Sequence, residues 1–322
     1  HTMGAFFDGA KNATTPNLTG KEGLLAGTAL LFSTRFLLMA VGSALGGWAA
    51  AAFGYQVAFI INAASFLVSA YTVWLIPEDA TRERSRHYAE TVTTKSMIGI
   101  PENPIVDTAD ESSERPSFLT ELREGLRYAW RNHFALTILI MNMIWATGGG
   151  SINIIFERIG GVRFARSESW NPDIAVAALW TATGLGLTLG MLIAHRTSII
   201  LDSRKWNHAF IGWTLILHGV LFSIAGVMPT LVLWAVFVFV SRAIVGVEYA
   251  VQETAFQRSL PDYIRGRIST LDRGAELTIF GLSSYAAAES MRIMTPETLT
   301  ILSGILSALA GVVWFVRERR PK

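Results

Sequence analysis

The sequence contains no cysteine and few charged residues. The absence of cysteine among 322 residues excludes disulfides, zinc–thiolate sites, iron–sulfur clusters and thiol nucleophiles. Charged residues make up 16% of the chain, against about 25% in soluble globular proteins, while 51% of the residues are hydrophobic. This deficit of charge over the whole length predicts that most of the chain faces lipid or other buried helices.

Other functional classes also lack their signatures. The six histidines show no metal-ligand spacing, and no glycine-rich phosphate loop is present. No nucleophile–base–orienter set is visible, so the sequence predicts no enzymatic activity, no metal and no cofactor. A net charge of +2 without a basic stripe argues against nucleic acid as a partner.

Long apolar runs dominate what is present. A helix needs about 20 mostly apolar residues to cross the hydrocarbon core of a bilayer. The sequence therefore predicts an all-α membrane protein of about eight transmembrane helices, with membrane lipids as partners. The predicted spans are 26–51, 55–76, 133–156, 174–195, 208–228, 230–255, 270–290 and 297–316.

The positions of Lys and Arg predict the orientation of these spans. With a cytoplasmic N-terminus and eight crossings, most of the 27 basic residues fall in cytoplasmic segments. Two of them, Arg35 and Arg242, lie inside predicted spans. We therefore expect both termini on the cytoplasmic side.

A polar segment at 77–132 separates two helices from six. It divides the chain into a first part at 1–76, a cytoplasmic linker at 77–132 and a six-helix part at 133–322. The end of the linker predicts an amphipathic helix with arginines beside an apolar stripe of Phe118, Leu122, Leu126 and Trp130. Two interpretations stay open, a helix on the cytoplasmic membrane surface or one packed against the protein itself.

Four stretches of sequence carry a family resemblance. They are GAFFDGAKNATTPNLTGKEGLLAGTALLFSTR, VGSALGGWAAAAFGYQVAFIINAASFLVSA, FLTELREGLRYAWRNHFALTILI and FQRSLPDYIRGRIST. Together they resemble the major facilitator superfamily of transporters, most closely the branch of macrolide and siderophore exporters. The resemblance implies a partial fold, two helices of the N-terminal half plus a six-helix C-terminal half, without the family's first helices. It also implies small-molecule efflux at a bacterial inner membrane.

Two motifs of that family can be followed in this sequence. Its antiporter-associated G-P-x-x-G-G element aligns with Gly42, Gly46 and Gly47, but Ser43 takes the place of the proline. Its P-D-x-x-R-G-R element is matched by a second set, which predicts a tight cytoplasmic turn whose arginines bind helix C-terminal carbonyls and acidic neighbours. That set is Pro261, Asp262, Arg265, Gly266 and Arg267.

Polar residues inside the spans are the candidates for a substrate or proton pathway, because they are costly in lipid unless paired. In the helix that matches the family's tenth, these are Arg242, Glu248 and Gln252, with Glu248 as a proton or cation site tuned by Arg242. In the helix that matches the seventh, they are Asn142, Trp145 and Asn153. The competing interpretation is that these residues have only a structural role.

Two hypotheses about function follow from the sequence. The first is a secondary transporter that exports an amphipathic small molecule. The second is a truncated, non-transporting relative that serves as a structural subunit among other membrane proteins. The second draws on the altered Gly-Pro element and on the loop 195–207, which keeps only Asp202, Arg204 and Lys205 of the family's gate element.

Overall fold

The computed structural model describes residues 30–75, 118–204 and 207–318. These residues form helices and short connections, with no β-strand among them. The helices are α1 (Leu30–Phe53), α2 (Tyr55–Trp74), α3 (Phe118–Arg131), α4 (His133–Gly149), α5 (Ile152–Arg158), a π-helical turn (Ile159–Phe164), α6 (Ala165–Ser167), α7 (Pro172–Arg204), α8 (Asn207–Ala225), α9 (Leu231–Ser259), α10 (Asp262–Ser290) and α11 (Pro296–Arg317).

Seven helical segments within the described ranges are long and apolar enough to cross a membrane. One of them runs without a break from His133 to Ser167, through α4, α5, the π-helical turn and α6. The prediction of an all-α membrane protein is confirmed. The span predicted at 270–290 corresponds to α10, which is 29 residues long but more polar than the seven. The loop predicted at 195–207 is helical as far as Arg204, and residues 205–206 lie outside the described ranges.

The chain divides into two compact units, one of residues 1–52 with 118–322 and one of residues 53–117. In the second unit the structure describes α2, whose apolar side chains are exposed along its length. Such exposure suits a helix surrounded by lipid. The predicted domain boundaries stay a prediction.

Close helix pairs build the first unit. A Cβ atom added at Gly246 of α9 would lie 3.0 Å from the Cα of Gly190 in α7, so the two backbones nearly touch. Glycines also hold α8 against α11, where an added Cβ at Gly219 would meet the carbonyl of Gly304. Helices in lipid pack through such small residues because no hydrophobic effect drives them together.

Helix α1 packs against α7 in the same way. A Cβ added at Gly184 would lie 2.7 Å from the carbonyl oxygen of Phe36, and the Thr181 hydroxyl donates to the carbonyl of Ala40 at 3.3 Å. Of the three glycines that the sequence analysis selected, only Gly47 faces this contact, where its added Cβ would meet Ala177. No atom lies within 4 Å of an added Cβ at Gly42 or Gly46.

The contrast between neighbouring glycines yields a testable prediction. Gly47→Val is expected to lower the free energy of unfolding by about 1–3 kcal/mol, because the new side chain overlaps α7. Gly46→Val is the matched control on the same helix and should change stability far less. Titration with dodecyl sulfate in mixed micelles measures both, and equal losses in the two variants would contradict the α1–α7 contact.

Candidate functional site

Helix α9 carries a row of buried polar side chains in an otherwise apolar helix. Ser241, Arg242, Glu248 and Gln252 are all buried. Because Ser241, Glu248 and Gln252 are spaced by seven and four residues, they share one stripe of the helix. The apolar residues around them belong to three cores, one containing Phe256, one containing Trp234 and one containing Val247. The helix therefore presents polar groups to the protein interior along several turns.

Asn142 of α4 joins three helices through its side-chain amide. Its Oδ1 accepts a hydrogen bond of 2.8 Å from Nε2 of Gln252 in α9. Its Nδ2 donates to both carboxylate oxygens of Asp272 in α10, at 3.0 and 3.1 Å. A single amide group thus uses its acceptor toward one helix and its donors toward another. We call Gln252, Asn142 and Asp272 the Asn142 network.

Further hydrogen bonds hold α4 and its C-terminal turn against α10 on one side of this network, toward the C-terminal ends of both helices. The Ser283 hydroxyl donates to the carbonyl of Thr147 at 2.6 Å, and the Ser284 hydroxyl donates to the carbonyl of Gly150 at 2.5 Å. A Cβ at Gly150 would collide with the backbone of α10 at Phe280. These contacts fix the register of the two helices and therefore the position of Asp272 opposite Asn142.

Glu248 lies one helical turn from Gln252 and is 3% exposed. Its Oε1 atom has no hydrogen-bond partner among the described residues. The Nε atom of Arg242 is also buried and unpaired, and the Arg242 guanidinium lies over the ring of Phe222, 5.3 Å from its centroid. No ion pair joins Glu248 to Arg242 within the described ranges. Two ionisable groups are therefore held in the interior without pairing to each other.

His218 of α8 lies beside this stripe, and both its Nδ1 atom and its backbone carbonyl are within hydrogen-bond distance of the Ser241 side chain. Its Nδ1 atom is 2.6 Å from the hydroxyl oxygen of Ser241, and that hydroxyl donates to the His218 carbonyl at 3.2 Å. In the tautomer in which the hydroxyl hydrogen goes to the carbonyl, Nδ1 donates to the Ser241 hydroxyl, and in the other tautomer the hydroxyl donates to Nδ1. His218 therefore links α8 to α9.

A second polar group extends from α9 along α10. Gln257 donates to Glu253 at 2.7 Å and to the hydroxyl of Ser269 at 3.0 Å. Arg273 forms an ion pair of 2.6 Å with Glu276 on the half-exposed side of α10. Within this group three carboxylates lie near the guanidinium of Arg273. They belong to Glu253, Asp272 and Glu276.

The structure separates the other predicted site residues. Trp145 is half-buried and packs against the core that contains Phe256. Asn153 is exposed, away from the Asn142 network.

The turn between α9 and α10 has the contacts of a helix-capping element. Arg265 donates to the carbonyl oxygens of Gln257 and Leu260 at 3.1 and 3.0 Å, at the C terminus of α9. Arg267 pairs with Glu124 of α3. An added Cβ at Gly266 would meet no atom within 4 Å. Pro261 precedes the first residue of α10, Asp262, whose side chain lies outside the described structure.

Sequence reasoning missed Asp272, although a signal was present. Arg265, Ser269, Asp272 and Glu276 follow one another at intervals of four, three and four residues, which places them on one face of α10. The apolar run alone predicts a transmembrane span at 270–290, and this polar stripe is the additional signal within it. It is the same stripe that lowers the hydropathy of α10 below that of the seven spans.

The network predicts an energetic coupling between Asn142 and Gln252. A double-mutant cycle of Asn142→Ala and Gln252→Ala should give about 0.6–1.7 kcal/mol, the range found for hydrogen bonds between membrane helices. The measurement is unfolding in mixed micelles. Asn153→Ala combined with Gln252→Ala is the control cycle and should give no coupling, because Asn153 is exposed. A coupling of zero for the Asn142 pair would contradict the hydrogen bond.

Comparison with known proteins identifies the family. No curated protein and no solved structure matches the chain. The model of the Major Facilitator Superfamily matches residues 2–275, which includes α1 to α9 and the part of α10 that carries Asp272. The members of this family are transporters, and the apolar helices found here agree with an integral membrane protein. The chain belongs to the major facilitator superfamily.

Proposed function

We propose that this chain moves an amphipathic small molecule out of the cell by secondary transport. The observation that carries the proposal is the Asn142 network, which places Asp272 and two amide side chains where three helices meet. Polar and ionisable residues inside membrane helices are costly and usually mark the path of a substrate or ion. The efflux direction rests on the resemblance to macrolide and siderophore exporters.

In the proposed mechanism, Glu248 carries the proton or the cationic group of the substrate. Its buried, unpaired oxygen is available to a proton or to a cation that enters the interior. Arg242, six residues earlier on the same helix, forms no ion pair with Glu248 in this structure, so in this proposal it tunes the charge of Glu248 only in a state where the two side chains approach. Gln252 lies between Glu248 and Asn142 along the polar stripe, so a change at Glu248 can reach the contact between α4, α9 and α10.

Asp272 has a positioning role in this proposal. Both of its oxygens accept from Asn142, so the carboxylate and the amide orient each other. Neutralising Asp272 removes the charge to which the Asn142 donors are directed and weakens the link between α4 and α10. Transport requires such links to form and break as the two sides of the protein open in turn.

The orientation proposed for the protein puts both termini in the cytoplasm of a bacterial cell. The excess of Lys and Arg in alternate loops supports it, because basic loops are retained on the cytoplasmic side. The polar turn between α9 and α10 then faces the cytoplasm, together with α3.

A second candidate function is a non-transporting subunit of a larger membrane complex. The family match does not favour it, because members of the superfamily are transporters. It differs from the first in a measurable way, since a subunit would show no substrate-driven flux in vesicles of the purified protein.

Substitution of Glu248 tests the proposed function. The purified chain is reconstituted into vesicles loaded with a pH-sensitive dye, and a gradient of ethidium or a macrolide is applied. Glu248→Gln should abolish substrate-dependent proton movement, because the amide cannot exchange a proton. Asp272→Asn should slow it by about tenfold, or ~1.4 kcal/mol in the barrier.

Glu289→Gln is the matched control, because Glu289 pairs with Arg292 at the end of α10, away from the Asn142 network. It should leave the flux unchanged. If Glu248→Gln still moves protons with the substrate at the parent rate, Glu248 does not have the proposed role. If neither the parent protein nor any variant shows flux, the second candidate, a non-transporting subunit, is favoured.

A further inference from the structure

Helix α3 is fixed to the protein through one face. Ala129 is buried in the core that contains Phe256, and Tyr128 packs against the same core. Gly125 lies so close to α10 that an added Cβ would be 3.6 Å from the carbonyl oxygen of Arg267. An ion pair between Glu124 and Arg267 adds to this attachment. The inner face of α3 therefore consists of Gly125, Tyr128 and Ala129, with small residues where the helices approach.

The opposite face of α3 combines exposed apolar residues with exposed arginines. Leu126 is 45% exposed and Trp130 is 67% exposed, although both belong to the apolar stripe read from the sequence. Arg123, Arg127 and Arg131 are also exposed and form no hydrogen bond or ion pair with the rest of the described chain. We call these five residues the outer face of α3.

The chain places the outer face at the boundary of the membrane. Asn132 follows α3 directly and caps α4, with its Oδ1 accepting from the backbone N–H of Ala135 at 3.0 Å. The long span that begins at His133 enters the membrane three residues after Trp130. Tryptophan and arginine are the side chains that favour this interfacial depth, where the ring reaches the acyl chains and the cation meets phosphate.

We propose that the outer face of α3 binds the headgroups of anionic phospholipids. In this arrangement Trp130 and Leu126 contact the upper acyl chains, while Arg123 and Arg127 bind phosphate and glycerol oxygens. Charge complementarity selects this occupant, because the described residues of this face include three cations, while the neighbouring carboxylate of Glu124 is paired with Arg267. The inner and outer faces together reconcile the two interpretations of the helix, since it packs on the protein and contacts the membrane at once.

The bound lipid would act close to the candidate site. Glu124 pairs with Arg267, which lies on α10 five residues before Asp272. Anionic headgroups gathered at α3 therefore neighbour the ion pair that holds α3 to the first turns of α10.

A fluorescence quenching experiment on the whole protein tests the proposal. The chain has no cysteine, so Leu126→Cys provides a single site for a dansyl label. The labelled protein is placed in nanodiscs of phosphatidylcholine containing doxyl-labelled phosphatidylglycerol or doxyl-labelled phosphatidylcholine, matched in chain position. We expect preference for phosphatidylglycerol of about fivefold for each arginine involved. The preference should fall to near one in the Arg123→Gln, Arg127→Gln, Arg131→Gln triple variant.

Two controls separate local binding from a general effect. A dansyl label at Trp213→Cys, on the exposed side of α8, should be quenched by both lipids equally. Arg166→Gln removes an exposed arginine at the other end of the span that begins at His133 and should leave the Leu126 signal unchanged.

Three results would overturn the proposal. Equal quenching by the two lipids would mean apolar contact without recognition of charge. Absence of quenching by either would mean that another part of the chain or another protein covers the outer face. A preference that survives the triple variant would mean that these arginines are not the recognising groups.

Discussion

A polar group in the interior of a membrane protein must be paired by the protein, by water that the protein encloses or by what it transports, because the bilayer core offers no partner. Asn142 meets this constraint by accepting from Gln252 and donating to Asp272, so one amide fixes the relative positions of α4, α9 and α10. The surrounding contacts are consistent with this requirement. Ser283 and Ser284 hold α10 against α4, and His218 ties α8 to the same side of α9.

Glu248 and Arg242 differ from these paired residues, because both are buried, each has a polar atom without a hydrogen-bond partner, and they form no ion pair with each other. Replacement of such groups by apolar residues often stabilises a protein, so their retention points to a role other than stability. The two groups are separated along α9, with Glu248 next to Gln252 and Arg242 next to Phe222 of α8. The interior thus has a carboxylate end near the Asn142 network and a cationic end near α8.

The sequence predicted much of this arrangement, because long apolar runs and buried polar residues leave clear patterns. It identified six of the spans within four residues, placed the end of the span that begins at His133 eleven residues too early, and selected Asn142, Gln252, Glu248 and Arg242 as interior polar residues. It could not predict that Asp272 faces Asn142, because the two are 130 residues apart and only the packing of α4 on α10 joins them. For the same reason Asn153, on the same span as Asn142, was indistinguishable from it by sequence although it is exposed. The amphipathic pattern of α3 showed an apolar stripe but not that Gly125 and Ala129, small residues outside the stripe, form the packed face.

The central claim, that α4, α9 and α10 meet at Asn142, can be tested directly because the chain has no cysteine of its own. The measurement is cross-linking of the paired variant Asn142→Cys, Gln252→Cys in membranes with a short bifunctional thiosulfonate, whose length spans the two side chains that the cysteines replace. The protein is then denatured, treated with a maleimide and weighed intact. We predict that the cross-linked Asn142 pair takes up no maleimide, while the pair Asn153→Cys, Gln252→Cys forms no link across its two sites. An Asn142 pair that forms no cross-link would contradict the contact, because the two helices would then not approach each other at this point.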